Sequence, residues 1–261
     1  MKERQIAAMY RARFDEQRRS SEAIESLYAE AAAGRDSANR AWLIAVAHPP
    51  RVPGRLARPS RDEAQEIFKQ TATITFTYSN RNGPHPIENV DQLNLRPGLR
   101  RWIAPNTAVG DRSKWREAWA GVHHDGSVTL AAAVGGHRRS SDECFDGWQV
   151  EARSVECAIA DFTALVRATA AARHHGEYDV CVGVEWTGEQ PLCVLTVDGT
   201  GYTYDGVSTP LSTYTPVRST INAAASDEEF HQQVRELAQD CVNQGGITHL
   251  HVITEPEPVE A

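Results

Sequence analysis

The sequence predicts an α+β fold: an antiparallel or mixed sheet with several packed helices and a long amino-terminal helix. Two observations carry that prediction. Apolar residues recur at helical spacing in three separate stretches, and the strand-like runs between them come as hairpins, so helices and hairpins alternate irregularly instead of in a βα repeat. The organisation expected is a connector helix over residues 1–36 and an α+β domain over 37–261.

The first helix runs from about Lys2 to Ala33, with Ile6, Tyr10, Phe14, Ile24 and Leu27 on its apolar stripe, and Gly34 stops it. Arginines crowd its amino end and glutamates follow, which opposes the helix dipole. The stripe Ile6, Tyr10, Phe14, Ile24 and Leu27 is therefore expected to pack on a protein partner or a second copy of the chain. Ala41 to Ala47 reads as a strand buried on both faces. Ser60 and Glu63 form a capping box for a short helix ending near Phe68, and the alternation of Ala72, Ile74, Phe76 and Tyr78 with threonines predicts a strand over 71–78.

A polar loop over 79–94 leads into the basic cluster Arg96 to Trp102. Trp115 to His123 and Ser127 to Val134 form a hairpin around the turn Asp125-Gly126. A short strand is expected at Trp148 to Glu151, then a helix from Val155 to Arg173 capped by Ser154. Val180 to Trp186 and Leu192 to Val197 are expected as neighbouring strands, followed by a turn-rich segment at Gly199 to Gly206. Ser226 with Glu229 starts another helix, which Gly245 and Gly246 stop; Ile247 to Ile253 reads as a last strand before an acidic tail.

The composition excludes disorder, collagen and membrane-spanning classes: 41% of the 261 residues are hydrophobic and 24% charged, with no apolar run of membrane length. No signal-peptide pattern opens the chain, so a cytoplasmic protein with reduced thiols is expected; five cysteines form no close metal-type pairs. A net charge of -8 argues against a chain whose whole surface neutralises phosphate, though a local patch survives that argument.

No glycine-rich loop precedes a lysine, no dinucleotide fingerprint occurs, and neither G-x-S-x-G nor H-E-x-x-H is present. No cofactor is expected. His249 and His251, two apart on the expected last strand, are the metal candidates, since such spacing can present two imidazoles to one ion. His123 and His124 adjoin a turn that explains them, and His174 and His175 close a helix. Arg96, Arg100 and Arg101 beside Trp102 are the nucleic-acid candidates, because guanidinium groups pair phosphates and an indole stacks on a base. Arg51, Arg55, Arg58 and Arg61 make a second basic stripe.

The segments YRARFDEQRR, AWLIAVAHP, LRPGLRRW, HDGSVTLAAAV, YDVCVGVEW and DCVNQGGITHLHVI resemble the carboxyl-terminal region of actinobacterial ATP-binding proteins with a Schlafen-type, Alba-like DNA-binding domain. That family's nucleotide and nucleic-acid functions belong to an amino-terminal domain for which no sequence stands ahead of the first helix, so no functional residue is carried over. The expectation is a non-enzymatic binding or regulatory module associated with a nucleic-acid or nucleotide-binding partner. The alternative is a hydrolase or nuclease acting on nucleotides or nucleic acid.

Overall fold

A computed structural model describes residues 2–51, 58–108, 110, 115–139, 143–197, 203–204 and 208–255, with the side chains of 2–9, 11–13 and 203–204 left aside. Among the described residues, four α-helices and a seven-stranded antiparallel sheet make the fold α+β. In chain order the elements are α1 (Lys2–Ala32), β1 (Trp42–His48), α2 (Arg61–Tyr78), β2 (Arg96–Gly98), β3 (Arg101–Ala104), β4 (Ala118–His123), β5 (Val128–Ala133) and β6 (Gln149–Glu151). They continue as α3 (Ala152–Arg173), β7 (Glu177–Glu185), β8 (Cys193–Val197), β9 (Thr203–Tyr204), β10 (Val217–Asn222) and α4 (Asp227–Asn243). The main sheet has the order β10-β7-β1-β5-β4-β3-β2, and β6, β8 and β9 form a second, small sheet.

The central strand β1 is as apolar as its sequence, because both of its faces are covered. Leu43, Ala45 and Ala47 meet the large core formed with α2, α3 and α4. Trp42, Ile44 and Val46 meet Ile24, Leu27, Tyr28 and Ala31 of α1 on the other face. The stripe of the first helix thus divides. Ile24 and Leu27 pack on the chain's own sheet, Tyr10 and Phe14 are exposed, and the side chain of Ile6 lies outside the described residues. Gly34, at φ +77°, stops α1 as its left-handed backbone requires.

Four local expectations are corrected. The strand expected at 71–78 is the second half of α2: Ala64, Ile67, Phe68, Thr71, Thr75 and Tyr78 are its buried face, at helical spacing. Threonine's strand preference is overridden because Thr71 Oγ1 donates to Ile67 O at 2.8 Å and Thr75 Oγ1 donates to the Asp161 carboxylate at 3.1 Å, which satisfies both hydroxyls inside a helix packed on α3. Ser154 is not a cap; Glu151 occupies that position and Ser154 Oγ donates to Glu151 O at 2.5 Å. β8 does not neighbour β7, whose free edge β10 takes, and pairs in parallel with β6.

The fourth correction is at Ile247 to Ile253, which is not a strand. The N–H groups of His251, Val252 and Ile253 all donate to the Glu156 carboxylate, at 2.9, 2.7 and 3.2 Å to Oε2. Successive amides of a strand point to opposite sides, so three in a row converging on one anion need a curled backbone. Glu156 is fully buried, and burial raises its pKa against the pull of those three amides.

One helical turn and a half along α3, Asp161 is also fully buried. It accepts from Ile87 N at 2.8 Å, from Thr75 and from His85 Nδ1 at 2.8 Å, while His85 Nε2 faces the Asn80 carbonyl at 3.0 Å. A carbonyl and a carboxylate only accept, so these two partners suit the imidazolium form of His85, in which both ring nitrogens donate. Burial works against that charge, but the Asp161 hydrogen bond and charge and the Asn80 carbonyl leave its pKa raised.

Four outcomes are expected. Asp161→Ala, which strands a buried cation, should cost about 3–5 kcal/mol in urea unfolding. The His85 contribution should be complete below its unfolded value near 6.5 and fall away as pH rises through the raised folded value. On α1, Ile24→Ala should cost about 2–5 kcal/mol, while Phe14→Ala should stay within about 0.5 kcal/mol, as exposed positions do; a costly Phe14→Ala would place that residue in the core.

Candidate functional site

The sheet register assembles a polar row on the α1 face. Thr220 pairs with Asp179, Asp179 with His48, and Arg101 with His123, while His123 N–H donates to Ser127 O at 2.8 Å. His48 Nδ1 lies 2.8 Å from Ser127 Oγ, which closes the row from β10 to β3. Ser20 of α1 donates to Asp179 at one end. One pleat further along, Arg218, Cys181, Val46, Thr129, Gly121, Ile103 and Arg96 form the next row on the same face.

α1 covers only part of this face. Most of its contacts fall on β7, β1 and β5, from Ser20 beside Asp179 to Tyr28 donating to Glu185 at 2.8 Å. The strands β4, β3 and β2 turn Trp119, Ile103 and Arg96 toward its uncovered side. At the carboxyl end of α1, the Arg35 guanidinium stacks 4.0 Å over the Trp119 ring, and Glu30 binds Arg101 Nη1 at 2.7 Å.

The predicted nucleic-acid residues are brought together only in part. Arg96 and Arg101 lie on the α1 face of the β2–β3 hairpin, and Arg100 is exposed at its turn with φ +57°. Trp102 alternates to the opposite face, where its indole N–H donates to Pro59 O at 2.9 Å against the main core. The aromatic ring on the arginine face is Trp119, and the arginine beside it is Arg35. Of the second stripe, Arg51 pairs with Glu16, Arg58 is exposed, Arg61 donates to Leu93 O and Arg55 lies outside the described residues. His249 and His251 are exposed in a loop, and among the described residues no group of three or more His, Cys, Asp or Glu could hold a metal ion.

The histidines of the row are proton-poor. Burial pushes His123 down to about 4 and the neighbouring Arg101 adds to it, with Asp125 opposing. Burial likewise lowers His48, His124 and His175. Asp125 is lowered although burial opposes ionisation, because it accepts from the Ser127 N–H at 2.9 Å and from its hydroxyl, and faces His123 and His48. In a nucleophilic triad the histidine stands between acid and serine; here Asp125 accepts from the Ser127 N–H, and Ser127 is fully buried. The arrangement ties a turn to the end of β1.

Four histidines with lowered values give stability a sign. In the unfolded chain they bind protons near pH 6.5 and in the fold they do not, so their contribution is present above that value and is lost as pH falls toward about 4 for His123. Acid titration of His123→Gln should show a shallower loss over that window than the unmodified chain; an identical slope would remove His123 from the account. No protein-family model, curated protein or solved structure matches the chain.

Proposed function

We propose that the chain is a binding module, with single-stranded nucleic acid as its partner and the uncovered β2–β3–β4 part of the sheet as the contact surface. The observation that carries this reading is the stack of Arg35 on Trp119 on the same face as Arg101 and Arg96. Guanidinium groups and an indole on an open antiparallel sheet suit phosphates and bases, whose stacking is tolerant of sequence.

A labelled single-stranded oligonucleotide should bind at low salt, and replacing Arg96, Arg100 and Arg101 together with alanine should flatten the dependence of log affinity on log salt by about two, at roughly 0.7 per phosphate contact. Absence of binding at low salt, or a triple variant with the original slope, would end this reading. The second reading is a hydrolase, for which His48, beside the buried Ser127, is the position to test. Turnover of phosphodiesters or model esters that disappears in a folded His48→Ala variant would promote it over the first.

A further inference from the structure

Between the carboxyl end of α1 and the uncovered strands lies a hollow of about 80 Å³, lined among others by Glu30, Arg35, Arg101, Trp119, Gly121 and Thr129. We infer that it is a binding site for a compact oxyanion, a phosphate or carboxylate group held between the guanidinium groups of Arg35 and Arg101. The volume is far below the roughly 300 Å³ at which ordinary ligand pockets begin, which restricts the occupant to a small group.

The donors of the hollow are in place before any ligand arrives. Arg101 Nη1 is taken by Glu30, but Arg101 Nε is enclosed and has no acceptor. Arg35 is fixed by its stack on Trp119 and by donation from Nε to Ala31 O at 3.3 Å, so its planar fork is oriented in advance. The two guanidinium groups act on each other as like charges: burial lowers Arg35 and Arg101 lowers it further, with Glu117 opposing.

The floor of the hollow is open for a structural reason. A Cβ at Gly121 would come within 2.7 Å of Thr129 Oγ1, so any larger residue would close the space against that hydroxyl. Thr129 itself makes only a long 3.5 Å contact with His123 Nε2 and keeps a donor for a ligand. With Glu30 and Glu117 close by, the ion is held by directed hydrogen bonds and not by excess positive charge, so affinity in the millimolar range is expected. The inference shares a sheet face with the nucleic-acid reading and does not rest on it, because the probe is the free ion.

Titration of the full chain with inorganic phosphate at constant ionic strength, followed through the arginine Nε–H resonances, should move the Arg101 and Arg35 signals saturably. Chloride should leave them in place. Acetate run in parallel distinguishes the two sources: the tighter of the two ions names the group the site takes. Arg101→Lys, which keeps the charge and removes the planar fork, should weaken binding about tenfold or more, and Gly121→Ala should weaken it by filling the floor. If Gly121→Ala does not fold, Arg101→Lys decides. No saturable shift with phosphate or acetate, an equal shift with chloride, or unchanged affinity in Arg101→Lys would overturn the inference.

Discussion

Two carboxylates buried in one helix set the terms for much of the structure. α3 is enclosed by the sheet, α2 and α4, and its buried surface includes Glu156 and Asp161, neither with any exposure. A carboxylate removed from water must find donors or give up its charge. Most of the donors come from outside the α-helices and strands: the amides of residues 251–253 for Glu156, and His85 with Ile87 N, at the start of a 3-10 turn over Pro86–Asn89, for Asp161, which Thr75 of α2 also joins. Those segments are joined in turn, since Asn80 N–H donates to Val252 O at 3.0 Å and Asn80 Nδ2 donates to His251 O at 3.1 Å. The conformations of both irregular segments thus answer to the central helix.

The opposite face of the sheet is governed by a mismatch of widths. A helix is about 10–12 Å across and neighbouring strands are about 4.8 Å apart, so one helix shelters two or three strands. α1 shelters β7, β1 and β5, where Trp42, Ile44 and Val46 supply its apolar bed. Beyond β5 the residues on that face become Trp119, Gly121, His123, Ile103 and Arg101, of which Gly121 and His123 are buried and the rest half-buried. The candidate surface and its hollow occupy the strands that α1 leaves over.

Part of this was legible in the residues themselves. The doubly buried β1, the hairpin around Asp125-Gly126, the cap at Ser60 with Glu63 and the stripe Phe230, Val234, Leu237, Ala238 and Cys241 of α4 are local patterns, and each forms where its pattern stands. Alternation alone also places Trp119, Gly121 and His123 on one face of β4. It cannot say that Arg101 stands opposite His123 or that Arg35 reaches Trp119, because those neighbours are set by strand register and by the path of α1. Arg101 and Trp102 are adjacent in sequence and face opposite sides of β3, so a cluster along the chain is not a cluster in space.

The sequence by itself determined the α+β class, most element positions and the apolar centre, since these depend on periodicity and caps that act over a few residues. Tertiary structure decided what the ambiguous segments became. Residues 71–78 carry a strand pattern and a helical one at once, and contact with Asp161 and Ala160 of α3 selected the helix. Residues 247–253 carry a strand pattern, and a buried carboxylate from another element took their amides instead of a neighbouring strand. In both places the deciding partner lies more than 80 residues away in the chain, where no local pattern can register its charge or its hydrogen bonds.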